Sequence, residues 1–202
     1  MQYYHNIVTE KSWEELHKLT ALSEFILIGG WATYLYTKAL KSKDIDILIT
    51  YDKLQTLSQN YAMFKNERLK KYEAVKGVVQ IDIYLPHFSE IGIPVEVLLQ
   101  QPNSIEGFTL LQPDYLLTLK IYTLGQRGRT AKGQKDFLDI ISLVQSGICN
   151  LQKVKNLLAE YRMNFGLSMF TNLLKETSEI PELDINTHQL SKTRKSLLLD
   201  LI

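Results

Sequence analysis

The sequence predicts an α+β protein, in which a half that mixes strands and helices is followed by a helical half. Two short apolar runs, EFILIGG and DIDILIT, are bounded by glycine or polar residues, as buried strands are. A third run, GVVQIDIYL, alternates apolar and polar residues. Beyond Pro113 the apolar residues change to helical spacing. We therefore expect one domain at residues 1–110 and a helical domain at residues 111–202.

The composition is that of an ordinary folded protein. The chain has 202 residues, of which 45% are hydrophobic and 22% charged. Its net charge of +1 gives no general attraction to nucleic acid or membrane, so any basic surface must be local. The single cysteine, Cys149, excludes an internal disulfide and fits a reducing compartment. With neither a secretory signal nor an apolar run of about 18 residues, we expect a cytoplasmic protein without a membrane segment.

The first half is predicted to begin with a helix at SWEELHKLTAL. Ser12 is the expected N-cap there, and Glu15 would complete a capping box. EFILIGG then predicts a strand, WATYLYTKAL a helix and DIDILIT a second strand. KLQTLSQNYAMF is predicted to be helical.

The remaining elements follow from turn signals. LKKYEAV and GVVQIDIYL are predicted to form a hairpin that turns near Lys76 and Gly77, and Pro86 ends its second strand. Pro94 either opens a short helix or precedes a strand, and IEGFTLL is a short strand. Helices are predicted at PDYLLTLKIYTLGQ, QKDFLDIISLVQSG and NLQKVKNLLAEY, and after Phe165.

Two aspartates begin the second apolar strand. Because alternate residues of a strand share a face, Asp44 and Asp46 fall on one side of DIDILI and the isoleucines on the other. Like charges this close are destabilising unless a cation lies between them, and a hard divalent ion is the obvious candidate. The alternative is a pair of solvated residues at the end of a strand, because an Asp-x-Asp pattern often arises by chance.

A third carboxylate has the same arrangement. In GVVQIDIYL, Gln80 and Asp82 lie on the face opposite the apolar residues. If this strand neighbours the one that carries Asp46, three carboxylates converge. Such a group can hold two divalent ions about 3.5–4 Å apart, as in enzymes of phosphoryl transfer. The alternative is that Asp82 simply faces solvent on a sheet covered on one side.

Gly29 and Gly30 lie between a predicted strand and a predicted helix. The amides at the start of that helix would suit phosphate oxygens. No Gly-Lys-Ser/Thr follows, and the pattern is not G-x-G-x-x-G, so neither common phosphate-binding motif is present. A glycine pair after a strand is otherwise a plain turn.

Together these features resemble the nucleotidyltransferase superfamily related to DNA polymerase β. Its pattern is a glycine pair that opens a helix, an acid-apolar-acid strand and a third acid on a later strand. The stretches GGWA and KDIDI resemble the antibiotic nucleotidyltransferases and the AbiEii-like nucleotidyltransferases, which include toxins of bacterial toxin–antitoxin systems. The resemblance implies a nucleotidyltransferase-type mixed sheet flanked by helices, followed by a helical domain that completes the nucleotide and acceptor cleft.

A basic segment in the second half resembles the AbiEii-like branch in particular. Its residues are Lys120, Arg127, Lys135, Asp136 and Asp139. Each has a simpler explanation: the lysine snorkels at the edge of an apolar stripe, the loop around the arginine is solvated, Asp136 favours a helix dipole, and Lys135 pairs with Asp139.

The resemblance implies a reaction and roles for these residues. The reaction is transfer of a nucleoside monophosphate from an NTP such as ATP to a hydroxyl acceptor, with release of pyrophosphate. It implies two Mg²⁺ ions, with Mn²⁺ as a substitute, held by Asp44, Asp46 and Asp82, of which Asp82 would also take the acceptor proton. It implies phosphate or nucleotide binding by Gly29, Gly30, Lys120, Arg127, Lys135 and Asp136.

The acceptor stays open at this point. RNA or tRNA, a protein, or a small hydroxylated molecule such as an aminoglycoside or lincosamide would each use the same core. A second hypothesis is a non-catalytic nucleotide-binding or antitoxin-like protein with the same fold, and a toxin–antitoxin partner is a further possibility of the AbiEii-like branch.

Overall fold

In a computed structural model, which describes residues 2–201, the chain forms two compact units, one up to Gln112 and one from Pro113 onward. The elements of the first unit are α1 (Gln2–Leu22), β1 (Ile26–Ile28), α2 (Gly29–Thr37), β2 (Ile45–Leu48), α3 (Tyr51–Ser58), β3 (Ala62–Asn66), β4 (Lys71–Lys76), β5 (Val79–Tyr84), α4 (Val95–Leu98), β6 (Pro102–Ile105) and β7 (Phe108–Leu111). The strands form a seven-stranded sheet of strand order β3-β4-β5-β2-β1-β7-β6.

The sheet is mixed. β2 and β5 run parallel, as do β1 and β7, and the other neighbouring strands are antiparallel. One face is apolar and buried, because Ile45, Ile47, Ile81 and Ile83 are at most 1% exposed. The alternating pattern of the sequence predicts this face, and the prediction is confirmed.

The second unit is helical. Its elements are α5 (Pro113–Arg127), α6 (Ala131–Gln145), α7 (Leu151–Glu160), α8 (Asn164–Glu176), a short 3-10 turn (Pro181–Leu183) and α9 (Thr187–Asp200). The predicted α+β class, with a mixed sheet and a C-terminal helical part, is confirmed. No helix in the described part of the chain is both long and apolar enough to cross a membrane.

The predicted capping box is wrong. Helix α1 begins well before Ser12, so neither residue of the box lies at its start. The Ser12 hydroxyl instead accepts a hydrogen bond of 2.8 Å from the Trp31 indole, and Glu15 accepts bonds from Tyr61 and Lys76. Both side chains join the middle of α1 to other parts of the first unit.

Two other elements differ from the prediction. Residues 62–64, predicted as part of a helix, belong to β3 because they pair with β4. The single strand predicted at IEGFTLL is a hairpin of β6 and β7, which turns at Glu106 and Gly107 with φ of 51° and 82°. Two successive residues with positive φ form the tight turn that suits a hairpin. Pro94 precedes the short helix α4, one of the two predicted alternatives.

Candidate active site

Asp46 and Asp82 are partners on neighbouring parallel strands. β2 and β5 pair in a register that sets Ile45 beside Ile81 and Asp46 beside Asp82. Because paired residues point to the same side of a sheet, the two carboxylates share the face opposite the buried isoleucines. The expectation that the two strands are neighbours is therefore confirmed.

Asp44 lies just outside β2. The strand begins at Ile45, one residue later than the sequence suggests, and Asp44 is half-buried in the bend before it. Asp44 thus lies two residues before Asp46 but is not part of the paired strand β2.

Gly29 lies against the Asp46 carboxylate. It is the first residue of α2, and β1 pairs with β2 so that Ile28 is opposite Asp46. A Cβ built on Gly29 would lie 2.2 Å from Asp46 Oδ2, and the φ of Gly29 is +69°. Only glycine suits both the close contact and this backbone conformation. The start of α2, with the buried Gly30, thus lies next to Asp46.

Asp46 also contacts β5. The Tyr84 hydroxyl donates a hydrogen bond of 3.4 Å to Asp46 Oδ1. Tyr84 follows Asp82 by two residues and shares its face of the sheet. The sequence identified Asp46 but not this aromatic neighbour.

Asp82 is buried and bonded through both oxygens. Its residue is 9% exposed. Lys71 Nζ donates to Oδ2 at 2.5 Å, and Gln80 Nε2 donates to Oδ1 at 2.8 Å. Lys71 also lies 3.1 Å from Glu73 Oε1. Burial by itself would lower the pKa of Lys71, but its contacts with Asp82 and Glu73 outweigh burial and raise that pKa.

The donor chemistry of this face suits a hard divalent ion. Among residues 2–201, no group of three or more His, Cys, Asp or Glu side chains is arranged to hold a metal ion. Mg²⁺, however, is usually held by one or two carboxylates together with water and substrate phosphates. Asp46 and Asp82, side by side, supply that number of carboxylates. The Lys71 ammonium already provides a positive charge at Asp82.

The helical unit contains a second charged cluster, between α5 and α6. Lys120 Nζ lies 3.1 Å from Asp136 Oδ1 and 2.6 Å from Asp139 Oδ2. Burial by itself would lower the pKa of Lys120, but Asp139 and Asp136 outweigh it and raise that pKa. Lys120 is 8% exposed, so it is a buried ion-pair residue and does not snorkel.

Arg127 belongs to the same cluster. Its Nη1 donates a hydrogen bond of 2.8 Å to Asp136 Oδ2, while its side chain remains 41% exposed. Asp136 therefore contacts both Lys120 and Arg127. Lys135, the preceding residue of α6, is half-buried. Within the described residues, Asp139 Oδ1 has no hydrogen-bond partner. The structure thus brings Lys120, Arg127 and Asp136 together, and their roles in nucleotide binding stay predictions.

Sequence reasoning places Gln80 on the face of Asp82 but does not predict the hydrogen bond between them. It misses Lys71 altogether. Lys71 could be placed only through the register of β4 on β5, which sets Glu73 opposite Asp82.

Solved structures share this fold. The antibiotic-resistance factor ANT(2″)-Ia matches with a TM-score of 0.55 and 13% identity over 83% of this chain and 96% of that one. A structure of ANT(2″)-Ia in complex with adenylyl-2″-tobramycin matches with a TM-score of 0.53 and 14% identity, over 81% of this chain and 98% of that one. A protein from H. pylori assigned as a nucleotidyltransferase matches with a TM-score of 0.54 and 14% identity, over 96% of this chain and 93% of that one.

These similarities concern three-dimensional structure. No protein-family model matches the sequence, and no curated protein matches it either. Matches at such low identity, over most of both chains, establish the architecture. This chain therefore has the fold of the nucleotidyltransferase superfamily.

Proposed function

We propose that this protein transfers a nucleoside monophosphate from an NTP to a hydroxyl acceptor and releases pyrophosphate. The observation that carries the proposal is the pairing of Asp46 with Asp82 on one face of a nucleotidyltransferase-type sheet. The contact of Gly29 with Asp46 supports it, because this contact places the start of α2 beside the Asp46 carboxylate. A pair of acids on the polar face of such strands suits a site that stabilises charge and does not suit a packing interface.

In this proposal the carboxylates hold the metal and one of them takes a proton. Asp44 and Asp46 would bind divalent ions, with Asp82 as a further ligand. Mg²⁺ or Mn²⁺, when bound, would offset the negative charge of the phosphates. Asp82 would accept the proton of the acceptor hydroxyl, as a positioned carboxylate can. The backbone of Gly29 and Gly30 would orient phosphate oxygens at the start of α2.

The charged cluster of the helical unit would contribute nucleotide affinity through Arg127. Its guanidinium is 41% exposed, whereas Lys120 is 8% exposed and contacts two carboxylates. Arginine binds phosphate oxygens through a planar fork, which favours Arg127 for this role. Asp136 would orient the guanidinium, Lys120 would hold Asp136, and Lys135 would add positive charge.

Three classes of hydroxyl acceptor are compatible with this chemistry: RNA or tRNA, a protein, and a small hydroxylated molecule. The relative solved with adenylyl-2″-tobramycin makes an aminoglycoside the first small molecule to try. An AbiEii-like toxin role would instead call for RNA or protein as the acceptor, together with a partner antitoxin.

A second candidate is a non-catalytic nucleotide-binding or antitoxin-like protein. The Lys71–Asp82 ion pair favours it, because that pair balances Asp82 without any metal. Transfer of label from α-³²P-NTPs to total tRNA, to protein and to aminoglycosides separates the two. Label transfer that is lost in Asp46→Asn but kept in Asp52→Asn, which changes an exposed acid of α3, supports the enzyme. Absence of transfer from all four NTPs to all three acceptor classes, in a folded sample that binds NTP, supports the second candidate.

A further inference from the structure

Lys71 delivers a positive charge to the third acid of the site. Its ammonium contacts Asp82 Oδ2 at 2.5 Å and Glu73 Oε1 at 3.1 Å. The residue is 8% exposed, so the contact is shielded from water far more than a surface ion pair would be. Such a charge is a strong competitor for any other cation at the same oxygen.

The surrounding side chains hold this ammonium in place. β4 and β5 pair so that Glu73 is opposite Asp82, and Lys71 lies two residues before Glu73 on the same face. Asn66 donates to Glu73 Oε1 at 3.1 Å, and Gln80 donates to Asp82 Oδ1 at 2.8 Å. Both carboxylates are therefore oriented by neutral donors, and Lys71 contacts both of them.

We propose that Lys71 is a positioning residue that acts through Asp82: its ammonium occupies the Asp82 carboxylate and competes with a divalent ion for it. The proposal rests on the proposed function, because it takes Asp82 as a metal ligand. Without Lys71, Glu73 and Asp82 would be adjacent carboxylates with no cation between them, which favours binding of a divalent ion. The metal affinity of the nucleotide-free protein is thus held down by a residue of its own sheet.

The probe is Mn²⁺ alone, titrated into the full chain without nucleotide and followed by the EPR signal of free Mn²⁺. Lys71→Met should bind Mn²⁺ about tenfold more tightly than the wild type, the size of effect that one close charge has on a carboxylate. Lys65→Met is the matched control. It removes a lysine of the same hairpin whose side chain is 45% exposed and pairs with Glu67. It should leave the affinity near that of the wild type.

Further variants separate competition at Asp82 from a change in packing. Lys71→Gln is a neutral variant that can still hydrogen bond to Asp82, and it replaces Lys71→Met if the methionine variant does not fold. Lys71→Arg keeps the charge and should bind Mn²⁺ like the wild type. Adding Asp82→Asn to Lys71→Gln should abolish the gain. A purely structural lysine would not produce this pattern.

The measured Mn²⁺ affinities decide the matter. Tighter Mn²⁺ binding in the neutral variants, dependent on Asp82, supports the proposal. Unchanged affinity in a folded Lys71→Gln overturns it, and if the wild type still binds Mn²⁺ together with an NTP, the proposed function survives. If the wild type binds no Mn²⁺ with or without any NTP, and the neutral variants bind none either, the proposed function and this inference both fail.

Discussion

Gly29 and Asp46 are so close that a methyl group on the glycine would overlap the carboxylate. A Cβ at Gly29 would lie 2.2 Å from Asp46 Oδ2 and 2.9 Å from Asp46 Cβ. β1 and β2 are paired at this point, so neither backbone can withdraw without breaking the ladder. The absence of a side chain on Gly29 therefore allows the Asp46 carboxylate to lie where it does.

Gly29→Ala should displace Asp46 and weaken metal-dependent NTP binding. Gly77→Ala is the matched control, because Gly77 has a φ of +62° but nothing within 4 Å of its added Cβ. Both variants should lose about 1 kcal/mol of stability from the left-handed conformation. Only Gly29→Ala should lose more than that in urea unfolding and lose NTP affinity as well. Equal losses of stability and affinity in the two variants would contradict the close contact.

Glu15 should make the stability of the first unit depend on pH. Burial by itself would raise the pKa of Glu15, but hydrogen bonds from Lys76 and Tyr61 outweigh it and lower that pKa below 4.5. A group with a lowered folded pKa stabilises the protein above its unfolded pKa, and this contribution is lost as pH falls through the folded pKa. The wild type should be more stable than Glu15→Gln by about 1 kcal/mol at pH 7.

Urea unfolding at several pH values between 7 and 3 measures this difference. It should shrink as the pH drops below 4.5, the ordinary pKa of a glutamate. Glu10→Gln, an exposed residue of the same helix, is the control and should show little difference at any pH. A gap between wild type and Glu15→Gln that stays constant with pH would contradict this account.

Lys120→Met should strongly destabilise the helical unit. Removing one partner from a buried ion pair typically costs about 3 kcal/mol, because the remaining charge stays buried. Here that charge is on Asp139, whose side chain is 1% exposed. Adding Asp139→Asn should therefore restore part of the loss. Thermal or urea unfolding measures it, with Lys132→Met, an exposed lysine of α6, as the control. A loss as small as that of the control would show that the pair does not stabilise the fold.

Arg127→Ala should reduce NTP affinity more than stability. Its bond to Asp136 is partly exposed, so its loss should cost no more than about 1 kcal/mol of folding free energy. Loss of a charge-assisted contact to phosphate should weaken NTP binding by about tenfold. Arg129→Ala is the control, because Arg129 also bonds a carboxylate, that of Glu176, and is 55% exposed. NTP affinity that falls equally in both variants would contradict a role of Arg127 in nucleotide binding.

The sequence places Asp46 and Asp82 well because strand alternation is a local property. Two residues on the polar faces of buried strands meet once those strands pair, and the hydrophobic pattern favours that pairing. Lys71 could not be found this way, since its contact with Asp82 depends on a hairpin register set by the turn after β4. The capping-box pattern at Ser12 fails for a related reason: the same residue spacing occurs inside a long helix, where tertiary contacts use the side chains.

The charged residues of the helical unit illustrate the same limit. Helical spacing sets Lys120 on the apolar stripe of α5, which is correct. Its partners Asp136 and Asp139 are on the next helix, and one sequence cannot tell an ion pair between helices from a lysine that reaches a ligand. Packing of α5 on α6 decides between these alternatives.

The most direct test of the account is calorimetric titration of each NTP in the presence of Mg²⁺, with an Asp44→Ala/Asp46→Ala variant in parallel. The account predicts metal-dependent binding of at least one NTP to the wild type and its loss in the variant. Absence of binding of every NTP to a folded wild type, or equal binding by the variant, would contradict it.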